Sequence, residues 1–242
     1  YQIERLLVEA RAEGSDITLS TLELATPDAD ATLSVNVTLS GDYPLDAAIR
    51  AELWLPELFP ALSGEQVALN LSGSLADLTA NLNATGPVNA SLTAQVDALA
   101  PTLPFEAQLE SDRLQWPLFD NSEIPEASSE EPATTAESYV LENLSLGVNG
   151  SLETYQVTLE TNAEGPQVPA TDIRLSGEGD LASFHWSPLT LTINDSALSS
   201  EGRVSWEEAI EVDTNVRLEN VDPSLFVPQL AGNLSGDIVA SV

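Results

Sequence analysis

Apolar and polar side chains alternate strictly along segment after segment of this chain, and that period of two limits what it can fold into. Leu33, Val35, Val37 and Leu39 alternate with Ser34, Asn36, Thr38 and Ser40. Leu45, Ala47, Ile49, Ala51, Leu53 and Leu55 follow the same rule, as do Val88, Ala90, Leu92, Ala94 and Val96. Ile210, Val212, Thr214, Val216 and Leu218 interleave with Glu211, Asp213, Asn215, Arg217 and Glu219. Such alternation predicts strands with one apolar and one wet face. Buried parallel strands read as solid apolar runs, so the sheet is expected to be mostly antiparallel or meandering. Only Gln2 to Ala12 admits a helical period, and there Leu6, Val8, Ala10 and Ala12 also alternate.

An internal repeat supports an elongated arrangement. Leu69, Leu71, Gly73-Ser74-Leu75, Leu78, Ala80 and Leu82 match Leu146, Val148, Gly150-Ser151-Leu152, Tyr155, Val157 and Leu159 in order and spacing. A looser copy runs through Gly177, Gly179, Leu181, Phe184 and Trp186. Glycine inside or just after a strand pattern marks a bend, a bulge or a tight connection. Repeated strand–glycine–strand units predict a solenoid-like or extended sheet. Pro101, Pro104 and Pro117 punctuate two expected strands, Phe105–Glu110 and Leu114–Leu118. Asp120 to Ser138 holds five Glu, two Pro and four Ser with little apolar content, so it is expected to be a flexible acidic loop. The expected organisation is sheet over 1–119, acidic loop over 120–138, and the same sheet system over 139–242.

Composition excludes several functions. The 242 residues hold 39 acids and seven Arg with no Lys, a formal charge of −32. Nucleic acids and anionic membrane surfaces are bound through basic clusters, so neither is expected as a partner. No run of 18 or more apolar residues occurs, so no helical membrane span is expected. There is no Met, and Tyr1 is therefore expected to begin a fragment or a processed product. No Cys is present and His185 is the one His, which leaves neither a disulfide framework nor a zinc site to expect. His185 sits between Phe184 and Trp186 and should point to the wet face. No Gly-x-Ser-x-Gly elbow, P-loop, EF-hand loop or calcium nonapeptide occurs. A carboxylate pair for glycoside hydrolysis would want an aromatic floor, whereas Trp54, Trp116, Trp186 and Trp206 are spread along the chain. Glu130-Glu131 and Glu207-Glu208 read as solvated acidic turns. No cofactor and no metal is expected.

The apolar face is what remains. A five-residue strand spans about 17 Å, close to the roughly 15 Å of one leaflet's hydrocarbon, so its width suits an acyl chain. A strip of apolar surface larger than a few hundred Å² must be covered or must bind something. A second sheet would cover it and give a closed β-sandwich. The same sheet folded lengthwise would leave a groove. Alternation does not choose between the two.

Several motifs bear on that choice. Leu114-Gln115-Trp116-Pro117-Leu118, the stretch Tyr139 to Tyr155 with Gly150-Ser151-Leu152, and Leu175-Ser176-Gly177-Glu178-Gly179-Asp180-Leu181 occur in order. Glu201-Gly202-Arg203-Val204-Ser205-Trp206, Asp222-Pro223 and Leu234-Ser235-Gly236 follow. Together they resemble the middle of proteins of the TamB family, translocation and assembly module subunits related to AsmA-like proteins. The resemblance implies a β-taco, a sheet folded into an apolar groove, in the periplasm of a Gram-negative bacterium. It implies a full-length protein held in the inner membrane by an N-terminal helix absent from this sequence. The implied partners are the outer-membrane barrel subunit TamA, met through other parts of the protein, and phospholipid. It also implies a part in assembling outer-membrane proteins such as autotransporters, and no catalytic residues.

On this reading the inward set is Leu33, Val35, Val37, Leu39, Ile49, Leu53, Leu69, Leu71, Leu92, Val96, Leu146, Val148, Val157, Leu159, Leu175, Leu191, Ile193, Val212, Val216 and Leu218. Phospholipid acyl chains would lie on these residues, bound by apolar transfer at about 25 cal/mol/Å². Two further expectations stay open. A sheet edge could hold unfolded outer-membrane strands by β-augmentation, or the chain could be a packed periplasmic spacer or adhesin rod.

Overall fold

The computed structural model describes residues 3–54, 62–117, 138–166, 168–207, 209–225, 229 and 232–241. They form fifteen strands: β1 (Arg5–Glu13), β2 (Asp16–Ala25), β3 (Ala29–Thr38), β4 (Pro44–Leu53), β5 (Glu65–Ser74), β6 (Asp77–Thr85), β7 (Asn89–Val96) and β8 (Phe105–Trp116). The series continues with β9 (Tyr139–Gly150), β10 (Tyr155–Gly165), β11 (Val168–Gly179), β12 (Ser183–Ile193), β13 (Ser196–Ser205), β14 (Glu211–Val221) and β15 (Leu234–Ser241). All belong to one sheet in which spatial order equals sequence order. Each strand is antiparallel to the one before it, so the fold is all-β and a pure meander. The acidic segment 120–138 falls almost entirely outside the described residues, yet β8 and β9 on either side of it pair directly.

One expectation is corrected and two alternatives are closed. The segment with a helical period near the start is strand β1, because its i, i+2 apolar spacing pairs with β2 from Arg5 to Glu13. The two strands expected at Phe105–Glu110 and Leu114–Leu118 are, over the described residues, one strand, β8; its ladder to β7 shifts register between Ser91 and Asn89 instead of ending. The closed sandwich is excluded among the described residues, since no substantial strand packing joins strands other than neighbours. The surface area agrees: it is 15959 Å², against about 10,400 Å² for a compact protein of 25.7 kDa. Among the described residues Ala47 is the one buried apolar residue, and no large side chain is fully buried. Such a sheet has a face where another fold would have a core.

The repeat seen in the sequence is a repeated hairpin. Gly73 closes β5 opposite Leu78, and Gly150 closes β9 opposite Tyr155. Both glycines have positive φ, 112° and 137°. A Cβ at either would collide with the carbonyl across the turn, of Asp77 or Thr154. Only glycine lets the backbone come this close while turning.

In an antiparallel meander, connections from odd to even strands share one rim and those from even to odd strands share the other. The first rim is built of short turns, such as 14–15 between β1 and β2, 75–76 between β5 and β6, and 180–182 between β11 and β12. Bulges bend the ladder in β2, between Leu19 and Leu22, and where β8 and β9 meet their outer neighbours β7 and β10. Asn143 takes φ 53° at the β9 bulge, a left-handed conformation that Asn tolerates better than most residues.

Candidate functional site

The register converts fifteen alternating strands into continuous rows, because directly paired residues share a face. One row runs Val8, Leu22, Leu33, Ile49, Leu69, Leu82, Leu92, Leu109, Leu146, Leu159, Leu175, Leu189, Ser200, Val216 and Ile238. From β1 to β12 every member is Leu, Ile or Val. A parallel row, one step nearer the first rim, includes Val35, Ala47, Leu71, Ala80, Ala94, Ala107, Val148, Val157 and Trp186. The row at the first rim includes Val37, Leu45, Val96, Phe105, Tyr155, Phe184, Val204 and Val212. On the far side of the Leu row lie Ala31, Ala51, Val67 and Ala84, and beyond the bulges Ile173, Leu191, Leu198 and Leu218.

Fifteen strands at about 4.8 Å spacing give a length of about 67 Å, and four rows at about 6.7 Å give a width of about 20 Å. The surface is on the order of 1,300 Å², well above the roughly 300–600 Å² of the largest apolar patch on a typical monomer. Its inner strands are half-buried and its edges open: Val8 is 52% exposed and Ile238 51%.

The register places the sequence-derived residues as follows. Leu33, Ile49, Leu69, Leu92, Leu146, Leu159, Leu175 and Val216 stand in the Leu row. Val35, Leu71, Val148 and Val157 stand in the next row, and Val37, Val96 and Val212 at the first rim. Leu191 and Leu218 lie on the other side of the Leu row. Leu53 and Ile193 lie one step further out on the same face. Leu39 lies past the end of β3 in the connection to β4 and is 54% exposed. The sequence reading missed Leu82, Leu109 and Leu189, although Leu78-x-Ala80-x-Leu82 carries the same alternation. It also missed Phe105, Tyr155 and Phe184 as members of one row.

Rings and glycines alternate in β10 to β13. Tyr155 pairs with Gly179, which pairs with Phe184; Trp186 pairs with both Gly177 and Gly202. A Cβ on Gly179 would lie 2.7 Å from the Tyr155 hydroxyl, and one on Gly177 would strike the Phe184 ring. The rings therefore lie flat across the glycines, covering backbone that a side chain would otherwise shield.

Polar atoms on this face are spent internally. Ser111 Oγ donates to the Asn89 carbonyl at 2.5 Å, Thr161 Oγ1 to Glu142 at 3.1 Å and Ser196 Oγ to Asn220 at 2.8 Å. Trp186 Nε1 donates to Ser200 Oγ at 3.2 Å, and Ser200 shares a 2.9 Å bond with Thr214 Oγ1. Glu65, 3% exposed, lies on this side beside Leu53. Its Oε2 accepts the Val88 N–H at 2.8 Å, and its Oε1 has no partner among the described residues. It ties the start of β5 to the β6–β7 connection.

Apart from Glu65, the charges of the strands sit on the opposite face. All seven Arg, at positions 5, 11, 50, 113, 174, 203 and 217, occupy wet-face positions. His185 is exposed on that face, paired with Glu178 and Arg203. The wet-face ion pairs are solvent-exposed, for example Arg217–Asp237 at 3.1 Å, and contribute little to stability. Every first-rim hairpin carries an acid in or beside its turn: Glu13, Asp42, Asp77, Asp97, Glu153, Asp180 and Glu207. None of these turns contains Arg. Backbone N–H groups of Ala182 and Ser183 hold the Asp180 carboxyl below its ordinary range. The hydroxyl and backbone N–H of Ser224 do the same for Asp222. No cluster of three or more metal-ligating side chains exists among the described residues.

The arrangement is a long apolar strip along one face of the sheet. Across residues 1–242 the chain matches the family model described as TamB, N-terminal domain. No solved structure matches it.

Proposed function

The chain belongs to the TamB family, and from that premise we propose that its uncovered face carries phospholipid acyl chains between the inner and outer membranes. The family is a non-enzymatic, periplasm-spanning component of the translocation and assembly module, which includes TamA. No helix among the described residues is long and apolar enough to cross a membrane; in this reading an N-terminal helix outside the sequence anchors the whole protein in the inner membrane.

One observation carries the proposal: the row from Val8 to Leu189 is apolar in twelve successive strands, and no other strand among the described residues packs over it. Acyl chains lie along the rows while headgroups stay wet at a rim. A lining of similar residues, with its hydroxyls already bonded, presents no deep trap, so a bound chain can shift from strand to strand. No bond is made or broken. Groove lining by the set from Leu33 to Leu218 belongs to this proposal.

Purified protein is expected to retain phospholipid detectable by mass spectrometry after extraction. A photocrosslinker at Val148 or Val216 should label it, and one at Thr158 on the wet face should not. Lipid-free protein with silent crosslinkers at both apolar sites would overturn the conduit.

A second reading rests on β15. Its outer edge has no partner among the described strands, and Val239 is 80% exposed on the otherwise polar face. Such an edge can take an unfolded outer-membrane strand by β-augmentation. That reading expects client binding to depend on backbone donors of β15 and to survive a charge placed in the Leu row.

A further inference from the structure

We infer that, free of lipid, two copies of this chain pair face to face through the central strands of the apolar strip, about a two-fold axis that runs along β8. The pairing needs no lipid, so it is tested apart from the conduit reading.

β8 is the middle strand of fifteen, and spatial order equals sequence order. A two-fold axis parallel to β8, lying between two apolar faces, sets β7 of one copy over β9 of the other, β6 over β10 and β5 over β11. Positions along the strands are unchanged by that rotation, so each row lies over the same row. The row of Ala107 is then complementary to itself. Ala107 meets its own copy, Ala94 meets Val148, Ala80 meets Val157 and Leu71 meets Gly177. Each off-axis pair sets a small residue against a larger one, which lets two layers interdigitate. In the row at the first rim Phe105 lies on the axis, ring against ring, and Val96 beside it meets Gly150. The Leu row meets leucine at every one of these strands, with Leu109 against its own copy. Sheets packed in this way keep their strands within about 30° of each other, so the match is closest near the axis.

The area suffices. Seven strands at about 4.8 Å and four rows at about 6.7 Å give about 700 Å² per copy and about 1,400 Å² in all. A stable specific interface buries roughly 1,200–2,000 Å². Charge does not oppose the pairing, although each chain carries a formal −32. Apart from Glu65 the strand charges stand on the outer faces. Facing sheets lie about 10 Å apart, so those charges are separated by more than the Debye length of about 8 Å at physiological salt. Glu65 sits three strands from the axis, 3% exposed and bonded to the Val88 N–H. An acyl chain on these rows takes the same surface, so lipid and a second copy exclude each other.

The test sizes the 242-residue chain by light scattering, stripped of lipid, across the micromolar range. A mass twice 25.7 kDa is expected, returning to the single mass after loading from dioleoyl phosphatidylcholine vesicles. Leu109→Asp sets two carboxylates against each other on the axis and should give monomer with unchanged β-sheet circular dichroism. The chain has no Cys, so an introduced thiol is unique. A short bismaleimide should link Ala107→Cys into a covalent dimer, and Gln108→Cys, exposed on the wet face of the same strand, at least tenfold less. Ala94→Cys and Val148→Cys should link when mixed and at least tenfold less when separate. Lipid-free monomer, or an open series of larger species, overturns the pairing. So does a dimer in which Ala107→Cys stays unlinked or the mixed pair links no better than its members, and this result does not depend on the folding of Leu109→Asp. A dimer that persists while holding lipid overturns the shared surface. Failure to take up lipid bears on the conduit alone.

Discussion

Tyr155 on β10 stacks with Phe184 on β12 across the intervening strand, with ring centroids 6.5 Å apart and planes 16° from parallel. Gly179 of β11 is the residue between them, paired with both. Two rings thus bridge a strand that contributes no side chain, and they hold three strands in register where the neighbouring ladders are bulged. Aromatic pairs of this kind contribute about 0.5–1.5 kcal/mol beyond their area.

Gly179→Val should therefore destabilise the sheet by about 1–3 kcal/mol, since the new side chain displaces a ring in an arrangement with no slack. The midpoint of urea unfolding measures it. Ser176→Val, on the wet face of the same strand, should shift the midpoint by less than about 0.5 kcal/mol.

Leu159→Asp places a carboxylate in the middle of the Leu row. Because this face is open to water, the substituted chain should keep its β-sheet circular dichroism. Retained lipid should fall at least tenfold, because an acyl chain would have to cross a hydrated charge. Thr158→Asp is the control, with lipid retention expected to stay within twofold.

Ser200→Ala removes the acceptor of Trp186 Nε1 and the partner of Thr214 Oγ1. The loss should cost about 1 kcal/mol and shift the tryptophan fluorescence, since the indole N–H then has to find another acceptor. An unchanged emission maximum together with unchanged stability would show that the Ser200 bonds do not hold the ring.

Asp180 gives the acid dependence a sign. Its carboxyl accepts the Ala182 and Ser183 N–H groups and titrates below the ordinary value of 3.8. The folded state favours the charged form, so the contribution is fully present above 3.8 and is lost as pH falls through the folded value. A carboxyl-carbon NMR titration should show a midpoint below that of the same residue in urea. In Asp180→Asn this part of the acid sensitivity of the β11–β12 hairpin should disappear.

Much of this architecture was legible from residue order. Period two in β3, β7 and β14 sufficed to assign strands and to separate the faces, because side chains alternate in any extended segment whatever its neighbours are. The glycines at 73 and 150 marked hairpin ends, because only glycine turns there without a clash. Lipid-sized dimensions followed from strand length. Bulges were not legible: at Ser111 and Asn143 the apolar period slips by one residue, and a slip reads like a strand end until the partner's register is known. Hence β8 was read as two strands.

The sequence by itself determined that these strands would be one-sidedly apolar and that the arginines and, Glu65 apart, the strand acids would share the other side; that is a property of each strand alone. Only the tertiary structure decided that the faces would join into one, with no second layer among the described residues. Whether Leu33, Leu92 and Leu175 face a second sheet, or line up in one continuous row, depends on which strand lies beside which. No period along the chain encodes that neighbour relation, because a sandwich and a meander bury the same alternating residues and differ only in what stands opposite them.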